Sequence, residues 1–447
     1  MEYQEPLNFK SWQQVQRIMK ELKIKVPDTT EDTLKKVRGK HPAVQAILNY
    51  RKCRTLLDNF GYKLPKFVHE DGRIHAEFRR IGTETGRKSS KNPNLYQIPK
   101  KEKLFFEMMA AELFRRLFVA LSPYLLIGCD FATIEPRLLT QRSKDPNLIK
   151  AFNTNTDYYS FNAKNMLQLA ELPAKGSHMR EVIGKIGTLA VQYLAGDKRT
   201  AEFMLVETLD EEQPVVWTIE EAAEAKKNYF DGVPKVKELV QKTREEVWNH
   251  FAHFSSLAEF KGRKPIYVAF TDDASHKDYK GKLRRHRSWF LTDKQEELAR
   301  RKVESGDPRE HPLHKDYVTW EEVEYEDPVT GEVLSRLKKS NYNAFKKLQG
   351  EMIRELYNFR IQAPAAIILK HALKFLDYRV LREHGFDIWE EGIVLDVYDE
   401  CVFRCHESKK ELAVKLVQDA MFRAGEIYLD CVPVKAEAEV GSSWYKG

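Results

Sequence analysis

Acidic residues at the ends of strand-like segments are the feature that most constrains this chain. Asp130 lies near the end of the apolar run YLLIGCDF (124–131), and Asp399 and Glu400 lie at the turn of the hairpin-like pattern VLDVYDECVF (394–403). Carboxylates in such positions suit a hard cation such as Mg²⁺, which takes one or two of them together with substrate phosphates. Each acid alone is more often a helix cap or a solvated turn residue, so the surrounding motifs decide the chemistry.

The hydrophobic pattern predicts a mixture of helices and strands. Helical spacing covers 8–62, with a break at VPDTTED (26–32), and most of 146–250. A further helix at 341–362 is expected to stop near Pro364, because proline cannot continue a helix. Shorter patterns predict strands at 73–78, 124–131, 388–400, 401–405 and 432–440, and a helix at 408–424.

The composition is that of a folded protein with a modest excess of positive charge. Hydrophobic residues at 42% and charged residues at 32% exclude a disordered chain. The net charge of +7 fits a polyanionic partner such as nucleic acid, although many basic proteins have no such partner. No run approaches the roughly 18 apolar residues of a membrane span, and MEYQEPLNFK is no secretory signal. We therefore expect a cytoplasmic protein without a membrane partner.

Five sequence blocks follow one another along the chain and together carry a family resemblance. They are TGRKSSKNPNLYQIP (85–99), DFATIEPRLL (130–139), REVIGKIGTLAVQYLAG (180–196), NFRIQAPAAIILK (358–370) and VYDE (397–400). In this order they resemble the family A DNA polymerases, the DNA polymerase I type. The E-P-R variant at 135–137 resembles the bacteriophage members in particular.

The resemblance depends on specific residues within these blocks. Motif A of that family, D-[YF]-S-x-x-E-x-R, is matched by Asp130, Phe131, Glu135 and Arg137, and motif C, V-H-D-E, by Val397, Asp399 and Glu400. The pattern T-G-R-x-S-S-x-x-P-N-L is matched at every specified position of 85–95.

The resemblance implies an α+β, right-hand polymerase fold with an antiparallel-sheet palm, helical fingers and a short helical thumb. The predicted parts are a truncated thumb-like helical region (1–80), a first palm part with motif A (81–150), fingers with motif B (151–255), a polar insertion (256–345) and a second palm part with motif C (346–447). Larger members carry a 3′–5′ exonuclease upstream of the thumb, and a thumb-like segment begins here at 7–24. We therefore expect no proofreading exonuclease in this chain, and an exonuclease or processivity subunit, where one exists, on a separate polypeptide.

The implied activity is template-directed synthesis on primer–template DNA from dNTPs. Asp130 and Asp399 would hold two Mg²⁺ ions, for which Mn²⁺ is expected to substitute. Glu400 would complete the catalytic group as a nearby helper rather than an obligatory ligand.

The resemblance also implies a nucleotide-binding set. Arg180 and Lys185 would clamp the triphosphate, Tyr193 would stack near the nascent base pair, and Glu135 would exclude a 2′-hydroxyl as a steric gate. Lys185 and Tyr193, with Leu189 between them, have the spacing of one helix face.

A second implied set contacts DNA. Arg354, Asn358 and Gln362 have i, i+4, i+8 spacing and match the group that contacts the minor groove, where acceptors occur in every base pair. Arg87 and Asn94 would contact the duplex near the primer end in the same way.

Three positions depart from the family pattern. Arg180 and Lys185 are five residues apart instead of four, which on an ideal α-helix separates them by about 140° rather than about 40°. Either the helix begins irregularly or Arg180 is not the equivalent residue. Leu189 stands where many members have Phe or Tyr, and Tyr398 stands where motif C has His.

Three other classes stay open at this point. A single-subunit RNA polymerase shares the metal-binding logic, a non-catalytic nucleic-acid-binding relative would typically have lost a metal aspartate, and a metal-dependent hydrolase would explain only the carboxylates. TGRKSS, Glu135 and the acidic pair of motif C favour DNA synthesis, and the presence of both Asp130 and Asp399 favours catalysis.

Overall fold

The computed structural model describes residues 7–98, 113–209, 214–254, 267–270, 286–289, 319–326, 333–340 and 344–444. Its strands are β1 (Glu77–Arg79), β2 (Ser89–Lys91), β3 (Tyr124–Phe131), β4 (Tyr267–Phe270), β5 (His286–Trp289), β6 (Thr319–Glu326), β7 (Val333–Ser340), β8 (Gly392–Val397), β9 (Glu400–His406) and β10 (Ala436–Gly441). The predicted α+β class is confirmed, because an antiparallel sheet is combined with many helices.

Along the chain, helices both precede and follow the first long strand, β3. They are α1 (Trp12–Glu21), α2 (Glu31–Val37), α3 (Pro42–Leu56), α4 (Leu113–Arg116), α5 (Ile134–Ser143), α6 (Pro146–Asn153), α7 (Tyr158–Leu167), α8 (Thr188–Gln192), α9 (Asp197–Thr208), α10 (Ile219–Gly232), α11 (Pro234–Phe254), α12 (Ala344–Phe375), α13 (Tyr378–Glu383) and α14 (Lys410–Glu426). Segments of π-helix lie at Leu57–Gly61 and Met179–Gly187, and 3₁₀ turns lie at Arg38–Lys40, Leu64–Phe67, Leu95–Gln97 and Glu407–Lys409.

A four-stranded antiparallel sheet joins distant parts of the chain, in the order β10-β3-β9-β8. Strand β3 is one of the two central strands and is buried on both faces, so its side chains point alternately into two cores. Ile127 and Cys129 face the core formed with α12 and α14, and Leu126 faces a second core that includes Phe60 and Trp444. The predicted strand at 124–131 and the two-residue turn between β8 and β9 are confirmed.

The amino-terminal helices form a small core of their own around Val15, Met19 and Leu34. Three helices lie where the sequence predicted two, because α2 begins inside the VPDTTED segment that was interpreted as a break. Thr30 caps α2 by accepting from the Thr33 amide, and Glu31 and Asp32 lie in its first turn, where acids favour a helix N-terminus. The polar residues of this segment therefore include the start of a helix and do not form only a loop.

The prediction that a helix stops near Pro364 is wrong, since α12 continues through this residue to Phe375. Proline removes one backbone hydrogen bond from a helix. The neighbouring residues Ile361, Ala365 and Ile368 are nevertheless buried in the main core, and tertiary packing of this kind supplies most helical stability in proteins. Packing around the proline therefore outweighs the local penalty.

Much of the predicted insertion, 256–345, lies outside the described residues. Its described parts include two antiparallel hairpins, β4 with β5 and β6 with β7, which the sequence did not predict. Among the helices of the described ranges, none is long and apolar enough to cross a membrane.

Candidate active site

Asp130 and Asp399 come together at one end of the sheet. β3 pairs with β9 so that Asp130 lies opposite Glu400, and the Phe131 amide donates to the carbonyl oxygen of Asp399 at 3.2 Å. Both aspartates are half-buried, and Asp399 lines a cavity of about 370 Å³. Two carboxylates from distant parts of the sequence therefore lie at the same end of the sheet, and one of them, Asp399, lines the cavity.

These two carboxylates fit a magnesium site in which water and substrate supply the remaining ligands. In the ranges that the structure describes, no group of three or more His, Cys, Asp or Glu side chains is placed to hold a metal. The sequence predicts Asp130 and Asp399 as ligands, and a pair of carboxylates is compatible with Mg²⁺, which ordinarily combines one or two carboxylates with water and substrate phosphates. The cavity beside Asp399 leaves space for those phosphates.

Glu400 has a different environment from the two aspartates. Its side chain is buried, and it forms an ion pair with Arg115 at 3.5 Å. Arg115 is also buried, with its guanidinium 4.1 Å from the centre of the Trp444 ring. Burial lowers the pKa of Arg115, and the charges of Glu400 and Asp130 oppose that change. Glu400 therefore belongs to a buried ion pair beneath the hairpin, a partner that the sequence did not reveal.

Glu135 is held inside the cavity by two donors. It lies in the first turn of α5, and its carboxylate accepts from the Tyr193 hydroxyl and from the Arg87 guanidinium. Burial raises the pKa of Tyr193, and the charge of Glu135 raises it further, whereas a hydrogen bond with Gln362 lowers it. Tyr193 consequently stays protonated and keeps donating to Glu135 across the ordinary pH range.

The motif B segment begins as a π-helix. Residues 179–187 make i→i+5 hydrogen bonds, so positions five apart lie about one turn above each other. Arg180 and Lys185 therefore share a face despite their spacing, which agrees with the first of the two explanations, an irregular helix start. The π-helix packs closely against α7, where a Cβ added to Gly184 would lie 2.4 Å from the carbonyl oxygen of Tyr159.

Arg180 and Lys185 differ in their contacts. Arg180 donates from Nε and Nη2 to the carboxylate of Asp157 at 3.0 and 2.8 Å, and from Nη1 to Glu181 at 2.6 Å. The bonds to Asp157 raise the pKa of Arg180. Lys185 is exposed on the same face. The structure thus engages Arg180 with Asp157 at the start of α7 and leaves Lys185 facing solvent.

The five predicted DNA-binding residues lie in different parts of the structure. Arg87 lines the cavity, and Gln362 is half-buried on α12. Arg354 is exposed and Asn358 is half-buried on α12, at the predicted i, i+4, i+8 spacing with Gln362. Asn94 precedes a 3₁₀ turn and is half-buried.

Several cavity residues were not predicted from sequence. Tyr159 and Gln192 line the cavity, and so does Tyr398, whose φ of +57° is unusual for a residue with a side chain. Tyr159 lies on α7, outside the five blocks, whereas Gln192 lies within the block 180–196 but was not singled out there. A signal for Tyr398 did exist, because the turn between two clear strands required an unusual backbone there.

The structure as a whole resembles a solved polymerase domain. That structure is described as the POL domain of Pol1 from M. smegmatis in complex with DNA primer-template and dNTP. The match has a TM-score of 0.67 and 22% sequence identity, and it covers 98% of this chain and 62% of that chain. The predicted right-hand polymerase fold is therefore confirmed.

Sequence comparison then gives the family. Residues 1–266 and 321–446 match the model of DNA polymerase family A, so the chain belongs to this family. The unmatched residues, 267–320, fall within the segment predicted to be an insertion.

Curated relatives carry the name DNA polymerase I. The chain is 26% identical to the thermostable DNA polymerase I of Thermus thermophilus, over 98% of this chain and 42% of that protein. It is 31% identical to the thermostable enzyme of Thermus aquaticus, over 54% of this chain and 28% of that protein. It is 30% identical to DNA polymerase I of Helicobacter pylori, over 54% of this chain and 24% of that protein. The chain spans less than half the length of these relatives.

Proposed function

We propose that this chain is a template-directed DNA polymerase that adds dNTPs to a primer 3′-hydroxyl by two-metal nucleotidyl transfer. One observation carries the proposal: Asp130 and Asp399 lie at one end of the sheet, beside a cavity in which Glu135 is held by Tyr193 and Arg87. The names of the relatives support it, as does the likeness to the M. smegmatis polymerase domain, which was solved with DNA primer-template and dNTP bound.

Asp130 and Asp399 would hold the metal ions. When bound there, Mg²⁺ supplies positive charge that lowers the pKa of the 3′-hydroxyl and neutralises the pyrophosphate that leaves. The contribution of the chain would be geometric, because the pairing of β3 with β9 brings Asp130 near the turn that carries Asp399 before substrate arrives. Glu400, paired with Arg115, would help by fixing the hairpin that carries Asp399.

The nucleotide would occupy the cavity. Lys185 is exposed and available to the triphosphate, whereas Arg180 would first exchange Asp157 for a phosphate oxygen. Tyr193 would lie beside the nascent base pair. Glu135, held by two donors, would collide with a 2′-hydroxyl and so favour dNTPs.

The primer–template would contact five polar side chains. Donors on α12, at Arg354, Asn358 and Gln362, would follow the minor groove. Because every base pair presents acceptors there, such donors can test base-pair geometry without reading sequence. Arg87 and Asn94 would contact the duplex near the primer end.

The finer sequence predictions stay predictions. They are bacteriophage origin, a cytoplasmic location, substitution of Mg²⁺ by Mn²⁺, the domain boundaries and a separate exonuclease or processivity subunit. Incubating the purified chain with a mismatched primer end tests for proofreading, and we expect no excision.

Primer extension tests the main proposal. The wild-type chain is incubated with a primed single-stranded template, Mg²⁺ and either dNTPs or rNTPs, beside Asp399→Asn and the matched control Asp419→Asn on the exposed surface of α14. We expect extension with dNTPs that Asp399→Asn abolishes and Asp419→Asn retains. Extension with rNTPs alone would indicate an RNA polymerase, and DNA binding without any extension would indicate a non-catalytic relative.

A further inference from the structure

A buried aspartate lies three residues before Asp399 in the same hairpin. Asp396 is on β8, and its side chain is 11% exposed. It accepts from Lys88 Nζ at 2.9 Å through one oxygen and from the Tyr96 hydroxyl at 3.2 Å through the other. Both carboxylate oxygens are therefore bonded to the segment that carries the TGRKSS motif.

The three groups depend on each other. Burial raises the pKa of Tyr96, and the negative charge of Asp396 raises it further, so the hydroxyl keeps its proton and continues to donate. Removing one partner of a buried, hydrogen-bonded ion pair leaves an uncompensated charge. Lys88 and Asp396 are thus held together more firmly than a surface pair would be.

Arg87 is adjacent in sequence to Lys88, which forms this contact. The Arg87 guanidinium donates to Glu135 and lies 5.6 Å from the centre of the Tyr398 ring. On the other side of Arg87, the carbonyl oxygen of Gly86 accepts from Lys370 Nζ at 2.7 Å. The short segment around Arg87 is consequently fixed at both ends.

The turn that carries Asp399 is fixed by the same segment. The Tyr398 hydroxyl donates to the carbonyl oxygen of Tyr96 at 3.3 Å, and the two rings lie 5.9 Å apart. Asp396 on β8 and Tyr398 in the turn therefore attach the β8 arm and the turn itself to one stretch of chain. Through that stretch the metal-binding side of the cavity is connected to Glu135.

We propose that Asp396 is a positioning residue for nucleotide selection: through Lys88 it places Arg87, and hence Glu135, relative to Asp399, and so sets the discrimination between deoxyribonucleotides and ribonucleotides. This inference rests on the proposed polymerase function. Asp396 itself touches neither Glu135 nor Asp399 through a hydrogen bond of this network, so its effect is transmitted by the segment 86–88.

The experiment measures the ratio of kcat/KM for one dNTP to that for the matching rNTP in single-nucleotide extension. The variants are Asp396→Asn, Lys88→Gln, their double mutant and Lys88→Arg. We expect the ratio to fall about tenfold in each single variant, and no further in the double mutant, because the two residues act as one pair. Lys88→Arg, which keeps the ion pair, should restore most of the wild-type ratio.

Lys91→Gln is the matched control, since Lys91 forms an exposed ion pair with Glu77 across the two-stranded sheet of β1 and β2. Its ratio should equal that of the wild type. If Asp396→Asn does not fold, as judged by circular dichroism, the comparison of Lys88→Gln with Lys88→Arg carries the test.

The possible failures are distinguishable. A folded Lys88→Gln variant whose ratio is unchanged, even with lower stability, would overturn the positioning role and leave the polymerase proposal intact. A wild-type chain that extends no primer with dNTPs would overturn the proposed function, and this inference with it.

Discussion

Substituting Gly184 by alanine should destabilise the protein although alanine is the better helix former. A Cβ at Gly184 would lie 2.4 Å from the carbonyl oxygen and 2.9 Å from the carbonyl carbon of Tyr159. Both are backbone atoms of α7, so no side-chain rotation relieves the clash. Overpacking of this kind costs about 1–3 kcal/mol. The gain in helix propensity offsets about 1 kcal/mol of that cost. We therefore expect a net loss of up to about 2 kcal/mol in the free energy of unfolding, near the upper end of that range because the clash is with backbone atoms.

Urea denaturation followed by circular dichroism measures this loss as a lower midpoint. Gly350→Ala in α12 is the matched control, because the nearest atom to its added Cβ is Arg354 Nη1 at 3.5 Å, an ordinary contact. That variant should keep or raise the midpoint. If Gly184→Ala raised the midpoint as much as Gly350→Ala, the close approach of the π-helix to α7 would be refuted. A variant that folds should also bind dNTP more weakly, since Lys185 is adjacent to the displaced residue.

Three further outcomes are expected. Arg115→Met leaves Glu400 buried without its ion pair and should lower the free energy of unfolding by about 3–5 kcal/mol in urea denaturation, whereas the exposed-site control Arg423→Met should change it little. Burial raises the pKa of Tyr158 and Tyr357, so the folded state favours their neutral forms. The free energy of unfolding should therefore not depend on these groups below pH 10.0, and it should fall as the pH rises above that value. A pH series of urea midpoints measures this dependence. Chelation by EDTA should abolish primer extension and leave DNA binding measurable by fluorescence anisotropy, and added Mg²⁺ should restore it; extension that persists in EDTA would contradict the metal requirement.

Local patterns predicted the sheet well because its strands are short, apolar and sharply bounded. YLLIGCDF is a strand from its first residue to its last, and the predicted two-residue turn between β8 and β9 is present, although it falls at Tyr398 and Asp399 rather than at Asp399 and Glu400. The errors arose where tertiary packing overrides a local rule. Pro364 marks a helix end by its own chemistry, yet the buried residues around it keep α12 continuous.

Sequence motifs brought together only part of the site. Glu135, Tyr193, Arg87 and Asp399 meet at one cavity, but the buried ion pair of Glu400 had no local signal because Arg115 belongs to another segment. A pairing across hundreds of residues cannot be inferred from periodicity, which describes only neighbours along one element.

The π-helix of motif B shows how an apparent misfit in sequence can carry structural information. A spacing of five conflicts with an α-helix, and the conflict disappears when i→i+5 hydrogen bonds widen the turn. The extra residue therefore lets Arg180 and Lys185 share a face, and α8 continues the chain from Thr188 toward Tyr193. Gly184, next to Lys185, allows this wider turn to pack on α7 without a clash. The departure from the family pattern and the glycine beside it are thus two parts of one local solution.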